Sequence, residues 1–183
     1  GDVVAPVSIT EPLPAIVPPP LIETPPILAD SLGEQRTLAI LVTFADSVHP
    51  LVDGRELREF LNEVSAYYQE QSYEQTWLRV VDVAGPYRIP IAVENLPSSA
   101  DTNRRIIQQE AIRAAKAANP ALDFSRIDRL MIFFPVSDNV GGAFGFGTNG
   151  KESTETPDGR VRLSTSWMNG GIGATPHEFG HNL

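Results

Sequence analysis

Two short, strongly apolar segments constrain the fold of this chain more than any other feature of its sequence. They are Thr37 to Phe44, TLAILVTF, and Ile127 to Val136, IDRLMIFFPV. Both are rich in strand-forming residues and shorter than an ordinary buried helix, so each predicts a buried strand. Strands of this kind need helices packed on their sheet.

Two helices are predicted between these strands. Asp53 to Ser72 has apolar residues at three- and four-residue steps, and Asp53 is placed to cap its first turn. Asp101 to Ala118 has a similar pattern, with Asp101 as the expected cap and Asn119-Pro120 as the stop.

The remaining pattern completes one sheet. Trp77 to Val83 alternates as a strand and continues extended through GPYRIPI, and Val161 to Ser166 is a further strand candidate. The segment WMNGGIGA then leads into a last helix. This order predicts an α+β (mixed α/β) fold, a twisted mixed sheet with packed helices and a helix at its C-terminal end.

The chain is predicted to divide at about residue 35. Eight of its 16 prolines lie between Pro6 and Pro26, which predicts that residues 1–35 form an extended arm or linker. A remnant of a pro-segment that covers a groove is the alternative. Residues 36–183 then form one globular domain.

The net charge and residue composition of the chain limit the partners and metal sites that it can have. The net charge is −9, which argues against nucleic acid and against anionic membrane surfaces. The apolar runs are too short to span a bilayer. Without cysteine, the chain has no disulfide framework and no thiolate metal site, so any zinc must be held by histidine and carboxylate.

The last helix carries the chemistry that the sequence predicts. Residues 177–181 read His-Glu-Phe-Gly-His and contain two of the three histidines of the chain. Residues four apart project from one face of a helix, so His177 and His181 can both ligate one zinc ion. Glu178 is then placed to act as general base toward a water molecule whose pKa the metal lowers to about 7.

A purely structural role for the same residues is the competing interpretation. Thr175-Pro176-His177-Glu178 also fits a capping box, in which Glu178 supports the helix start rather than catalysis. The third histidine, His49, precedes Pro50 and is expected to be a surface turn residue.

The segment HEFGHNL resembles the active-site helix of metzincin-like zinc peptidases, in particular the gametolysin-type and immune-inhibitor-A-type enzymes. Softer similarity extends over Ala66 to Pro90 and Asp123 to Pro135, so the resemblance covers roughly residues 36–183. It implies a secreted zinc endopeptidase with His177 and His181 as ligands and Glu178 as general base.

The resemblance also implies parts that are not in this sequence. The family has a third ligand six residues beyond the second histidine, and a methionine-containing turn below the site. We therefore expect this chain to be the N-terminal part of a catalytic domain that binds zinc weakly or is inactive alone. Asp138 and Glu152 are substitute ligands for which no spacing argument exists.

Substrate binding is expected at the glycine-rich stretch. In the related fold a polypeptide substrate lies as an extended strand along the sheet edge. The stretch Gly142 to Thr148 is the candidate edge, and a mobile loop is an equal alternative.

Two other functions are also consistent with the sequence. The chain could be a non-catalytic binding or adhesion module that retains a peptidase-like fold, or a zinc hydrolase that acts on a non-peptide bond.

Overall fold

The computed structural model describes residues 30–47, 50–135 and 145–183. They form a mixed sheet of six strands with three α-helices, which confirms the predicted α+β class. The strands are β1 Gly33–Thr43, β2 Thr76–Arg88, β3 Arg129–Phe134, β4 Gly145–Gly147, β5 Glu152–Thr156 and β6 Gly159–Asn169. The helices are α1 Gly54–Gln71, α2 Ala100–Ala118 and α3 Thr175–Asn182, with short 3-10 turns at Val93–Asn95 and Phe124–Arg126.

The sheet is parallel except at one edge. Its strand order is β2-β1-β3-β6-β4, with β1, β2, β3 and β6 parallel and β4 antiparallel to β6. β5 pairs antiparallel with the first half of β6 and forms a hairpin with it. β4 is therefore the edge strand beside the last parallel strand, and α3 follows directly from β6.

Both faces of the sheet are covered by helices. Alternate residues of β1 and β3 enter two apolar clusters. One cluster joins them to α2 through Ile107, Ala111, Ile112 and Ala115. The other joins them to Leu57, Leu61 and Val64 of α1 and to Phe179 of α3. Burial on both faces explains why residues 38–42 of β1 and 130–134 of β3 are apolar without alternation.

The two predicted helix caps have different outcomes. Asp53 caps α1 as predicted, and its carboxylate accepts hydrogen bonds from the backbone N–H groups of Arg55 and Glu56. The prediction that Asp101 caps α2 is wrong, because Ser99 is the cap and Asp101 lies in the first turn. There its carboxylate pairs with Arg104.

The boundaries also differ from expectation. β1 begins at Gly33, so its first three residues lie inside the predicted arm, and most of that arm lies outside the described residues. β5 was not predicted, since its sequence ESTET is polar on both sides and its residues are largely exposed. None of the helices in the described segments is both long and apolar enough to cross a membrane.

Candidate metal centre

The two histidines of the pentad converge on the surface of α3. Both side chains are exposed, and their Nε2 atoms lie 3.1 Å apart. The rings are nearly perpendicular, with an angle of 83° between them. The four-residue spacing thus brings both imidazoles to one point in solvent, as the sequence predicts.

This separation fits a shared metal ion. Two nitrogens that each lie 2.0–2.1 Å from a tetrahedral zinc are about 3.3–3.4 Å apart. The distance between His177 Nε2 and His181 Nε2 falls within about 0.3 Å of that value. The same distance also fits a hydrogen bond between the two rings.

The described residues supply no third ligand of the usual kinds. Within the three described ranges, no group of three His, Cys, Asp or Glu side chains is arranged to hold a metal ion. Glu152 begins β5 and does not complete such a group. Asp138 and His49 lie outside the described residues.

Glu178 occupies a different environment from its histidine neighbours. Its residue is only 7% exposed, and it lies against Gly145 of β4. A Cβ atom on Gly145 would come within 2.7 Å of Glu178 Cγ and 2.9 Å of Oε1. The edge strand therefore approaches the carboxylate more closely than any other residue type at position 145 would allow.

The same strand contacts the next turn of α3. A Cβ atom on Gly147 would lie 2.7 Å from the carbonyl oxygen of Glu178. The buried amide of Asn182 donates to the carbonyl oxygen of Thr148 and accepts from Ser166 Oγ. α3 is thus joined side by side to β4 and β6.

The helix start does not support the capping interpretation. Ala174 is the N-cap residue, and no side chain caps the helix. Thr175 Oγ1 donates instead to the carbonyl oxygen of Ile172. Since Thr175 forms no capping box, the interpretation of Glu178 as a capping-box partner is wrong.

Tyr68 of α1 supports the outer side of α3. Its hydroxyl donates to the carbonyl oxygen of Pro176 over 2.6 Å, and its ring packs edge-on against Phe179. A Cβ atom on Gly180 would lie 3.0 Å from that hydroxyl, so the glycine of the pentad permits this contact. Burial raises the pKa of Tyr68, which keeps the hydroxyl a donor at neutral pH.

Arg129 supports the other end of α3. This fully buried side chain donates to Asn182 O, at 2.6 Å, and to Ser164 Oγ and Gln35 Oε1. A cation at a helix C-terminus is favoured by the helix dipole. Burial lowers the pKa of Arg129 to about 10, against the opposing effect of nearby carboxylates, so it remains charged at neutral pH.

A groove of about 880 Å³ runs past this centre. His177, Glu178 and His181 lie on its wall, together with β4. The other walls come from α2 and β5, through Arg104, Arg105, Gln108, Glu152 and Thr154. Phe146 projects into the groove and is 42% exposed.

The glycine-rich stretch is an edge strand where the structure describes it. Gly145–Gly147 form β4, which confirms the edge-strand alternative for these residues, and residues 142–144 lie outside the described ranges. Sequence reasoning missed Tyr68, Arg129 and Asn182. Their roles depend on contacts more than 15 positions away in sequence, and no local pattern signals such contacts.

No protein-family model matches the chain, and no curated protein matches it either. The resemblance to metzincin-like peptidases therefore rests on the residues quoted above and stays a prediction.

Proposed function

We propose that the protein is a zinc-dependent endopeptidase in which His177 and His181 bind the metal and Glu178 is the general base. The observation that carries this proposal is the 3.1 Å separation of two exposed imidazole nitrogens beside a buried carboxylate in a groove. Catalytic zinc sites usually have three protein ligands. The described residues supply two, so the proposal requires a third from elsewhere in the protein.

The chemistry divides between metal and protein. Bound zinc supplies Lewis acidity toward a carbonyl oxygen and makes water more acidic. The carboxylate of Glu178 accepts a proton from the water that adds to the peptide carbonyl carbon. It then delivers that proton to the amine nitrogen as the C–N bond breaks. Its burial beneath β4 holds it in one position for both transfers.

The edge strand supports a polypeptide as the substrate. The backbone N–H of Thr148 donates to the carbonyl oxygen of Thr165 in β6. Along an antiparallel strand, the N–H and C=O groups of successive residues point alternately toward and away from the neighbouring strand. The N–H and C=O groups of Gly145 and Gly147 therefore point away from β6, toward the open side of β4. An extended peptide can pair with them and so pass beside α3.

A metal titration tests the ligand pair. We expect Co²⁺ or Zn²⁺ binding to weaken by at least tenfold in His177→Ala and in His181→Ala, because each change removes one of the ligands. His49→Ala is the matched control, since it removes the remaining histidine of the sequence and should leave affinity unchanged. Equal affinity in all three variants would refute the metal site.

An activity assay tests the peptidase. In the full-length protein, Glu178→Ala should abolish metal-dependent cleavage of unfolded polypeptides while metal affinity and thermal stability are retained. A binding or adhesion module predicts that the same substitution changes nothing. Secretion is part of the proposal and is checked by locating the protein outside the cell.

A further inference from the structure

We propose that Phe146 forms a subsite that selects a bulky apolar side chain, above all an aromatic one, in the polypeptide that pairs with β4. This inference rests on the proposed function for the identity of the ligand. It concerns a different part of the groove from the metal ligands.

Strand geometry determines which side chain meets Phe146. The backbone of Phe146 faces β6, where it pairs with Trp167. On the open side of β4, the peptide residue opposite Phe146 therefore belongs to a non-hydrogen-bonded pair if the peptide runs antiparallel. Side chains of such pairs lie on the same face of the sheet and are closer than in the hydrogen-bonded pairs. The next peptide residues on either side point to the opposite face, toward α3.

The surroundings of Phe146 form a rigid platform. The guanidinium carbon of Arg104 lies 3.9 Å from the ring centroid, and Arg104 is itself paired with Asp101. The ring of Trp167 lies behind, with its centroid 6.0 Å away, and its indole N–H donates to Arg104 O. Arg104 and Trp167 thus cover part of the Phe146 ring, and the exposed part of the ring faces the groove.

These contacts favour an apolar side chain over an acidic one. The charge of Arg104 is paired with Asp101, and its side chain is only 10% exposed. It is therefore poorly placed to form an ion pair with a carboxylate of the peptide. The exposed ring of Phe146 loses water when an apolar group covers it, and a second aromatic ring adds an edge or offset contact. The groove, at about 880 Å³, has room for such a side chain.

A peptide series tests the subsite without requiring cleavage. Short blocked peptides that differ only in a central Phe, Leu, Ala or Glu are titrated against the Glu178→Ala protein by fluorescence anisotropy. We expect the Phe peptide to bind about tenfold more tightly than the Ala peptide, with Leu between them and Glu weakest. In a second background with Phe146→Ala, this preference should fall to about twofold or less.

Two further variants keep the outcome interpretable. Phe146→Leu keeps an apolar side chain and should lose the preference of Phe over Leu while retaining that of Leu over Ala. Tyr73→Ala removes an aromatic residue that is 88% exposed and lies at the end of α1, so it should retain the full preference. Thermal unfolding establishes that each variant is folded.

The results separate this inference from the proposed function. Selective binding that disappears with Phe146, together with no metal-dependent cleavage by the full-length protein, supports the subsite and refutes the peptidase. Metal-dependent cleavage without any preference at this position, or a preference that survives Phe146→Ala, refutes the subsite and leaves the peptidase standing. Failure of every peptide to bind also refutes the subsite.

Discussion

At the scale of a single residue, Gly145 sets the position of Glu178, the proposed general base. The backbone of β4 lies so close to Glu178 that an added methyl group would come within 2.7 Å of the carboxylate-bearing side chain. The contact is with a flexible side chain rather than with backbone, so substitution displaces Glu178 instead of unfolding the protein. Activity should therefore be far more sensitive to this position than stability.

Gly145→Ala should lower kcat/KM for peptide cleavage by about 100-fold, because a general base moved by about 1 Å loses its alignment. Zinc affinity should change little, since the three atoms nearest to the added methyl group all belong to Glu178 and none to His177 or His181. Steady-state kinetics and a metal titration check the two statements. Gly171→Ala is the matched control, because a Cβ atom there meets nothing within 4 Å. Equal kinetics for the two variants would contradict this assignment.

At the scale of elements, the eight-residue helix α3 is held in place by contacts with other parts of the fold. α3 is too short to be stable alone. Phe179 anchors it in the core, Tyr68 binds its first turn, and Arg129 binds its last carbonyl group. The buried amide of Asn182 adds the link to β4.

Arg129→Met should loosen α3 and weaken metal binding together. The substitution leaves several buried acceptors without their donor, including Asn182 O and Gln35 Oε1, at a cost of about 3 kcal/mol or more in unfolding free energy. Urea unfolding measures that loss, and a Co²⁺ titration measures the affinity. Ile107→Ala, in the cluster on the opposite face of the sheet, is the control of comparable stability loss. If both variants weaken metal binding equally, Arg129 has no positioning role.

Most of the helices and strands, but not all, could be predicted from the sequence. Apolar runs and helical periodicity locate β1, β3, α1 and α2, because the buried residues of these elements form recognisable apolar patterns in the local sequence. The convergence of His177 and His181 follows from helix geometry alone. β5 was missed because it buries no apolar face, and the cap of α2 was misplaced because Ser99 and Asp101 are both good cap residues.

At the scale of the whole molecule, one ionic network joins distant segments of the chain. Asp128, just before β3, accepts hydrogen bonds from Arg36 of β1 and from Lys151, which precedes β5. Its own backbone N–H donates to Arg36 O, and its carbonyl oxygen accepts from Ser164 of β6. Asp128, which is only 9% exposed, therefore links β1, β3 and β6 with the segment that precedes β5.

This network makes the free energy of unfolding depend on pH in a defined acidic range. Burial by itself would raise the pKa of Asp128, but the hydrogen bonds from Arg36 and Lys151 outweigh burial and lower it to about 2. An ordinary aspartate in the unfolded chain has a pKa of about 3.9. Because the folded value is the lower one, the unfolded state binds the proton first as pH falls. The stabilisation is therefore complete above about pH 4 and is lost as the pH falls toward about 2.

We expect Asp128→Asn to remove this dependence. The difference in unfolding free energy between wild type and variant should be about 2 kcal/mol larger at pH 6 than near pH 2. Urea unfolding across that range measures it, and taking the difference cancels the contribution of the other carboxylates. Asp82→Asn, which breaks an ion pair with Arg58 in which both side chains are more than 40% exposed, should give a nearly constant difference. A constant difference for Asp128→Asn as well would mean that its carboxylate is not the group through which acid loosens the sheet.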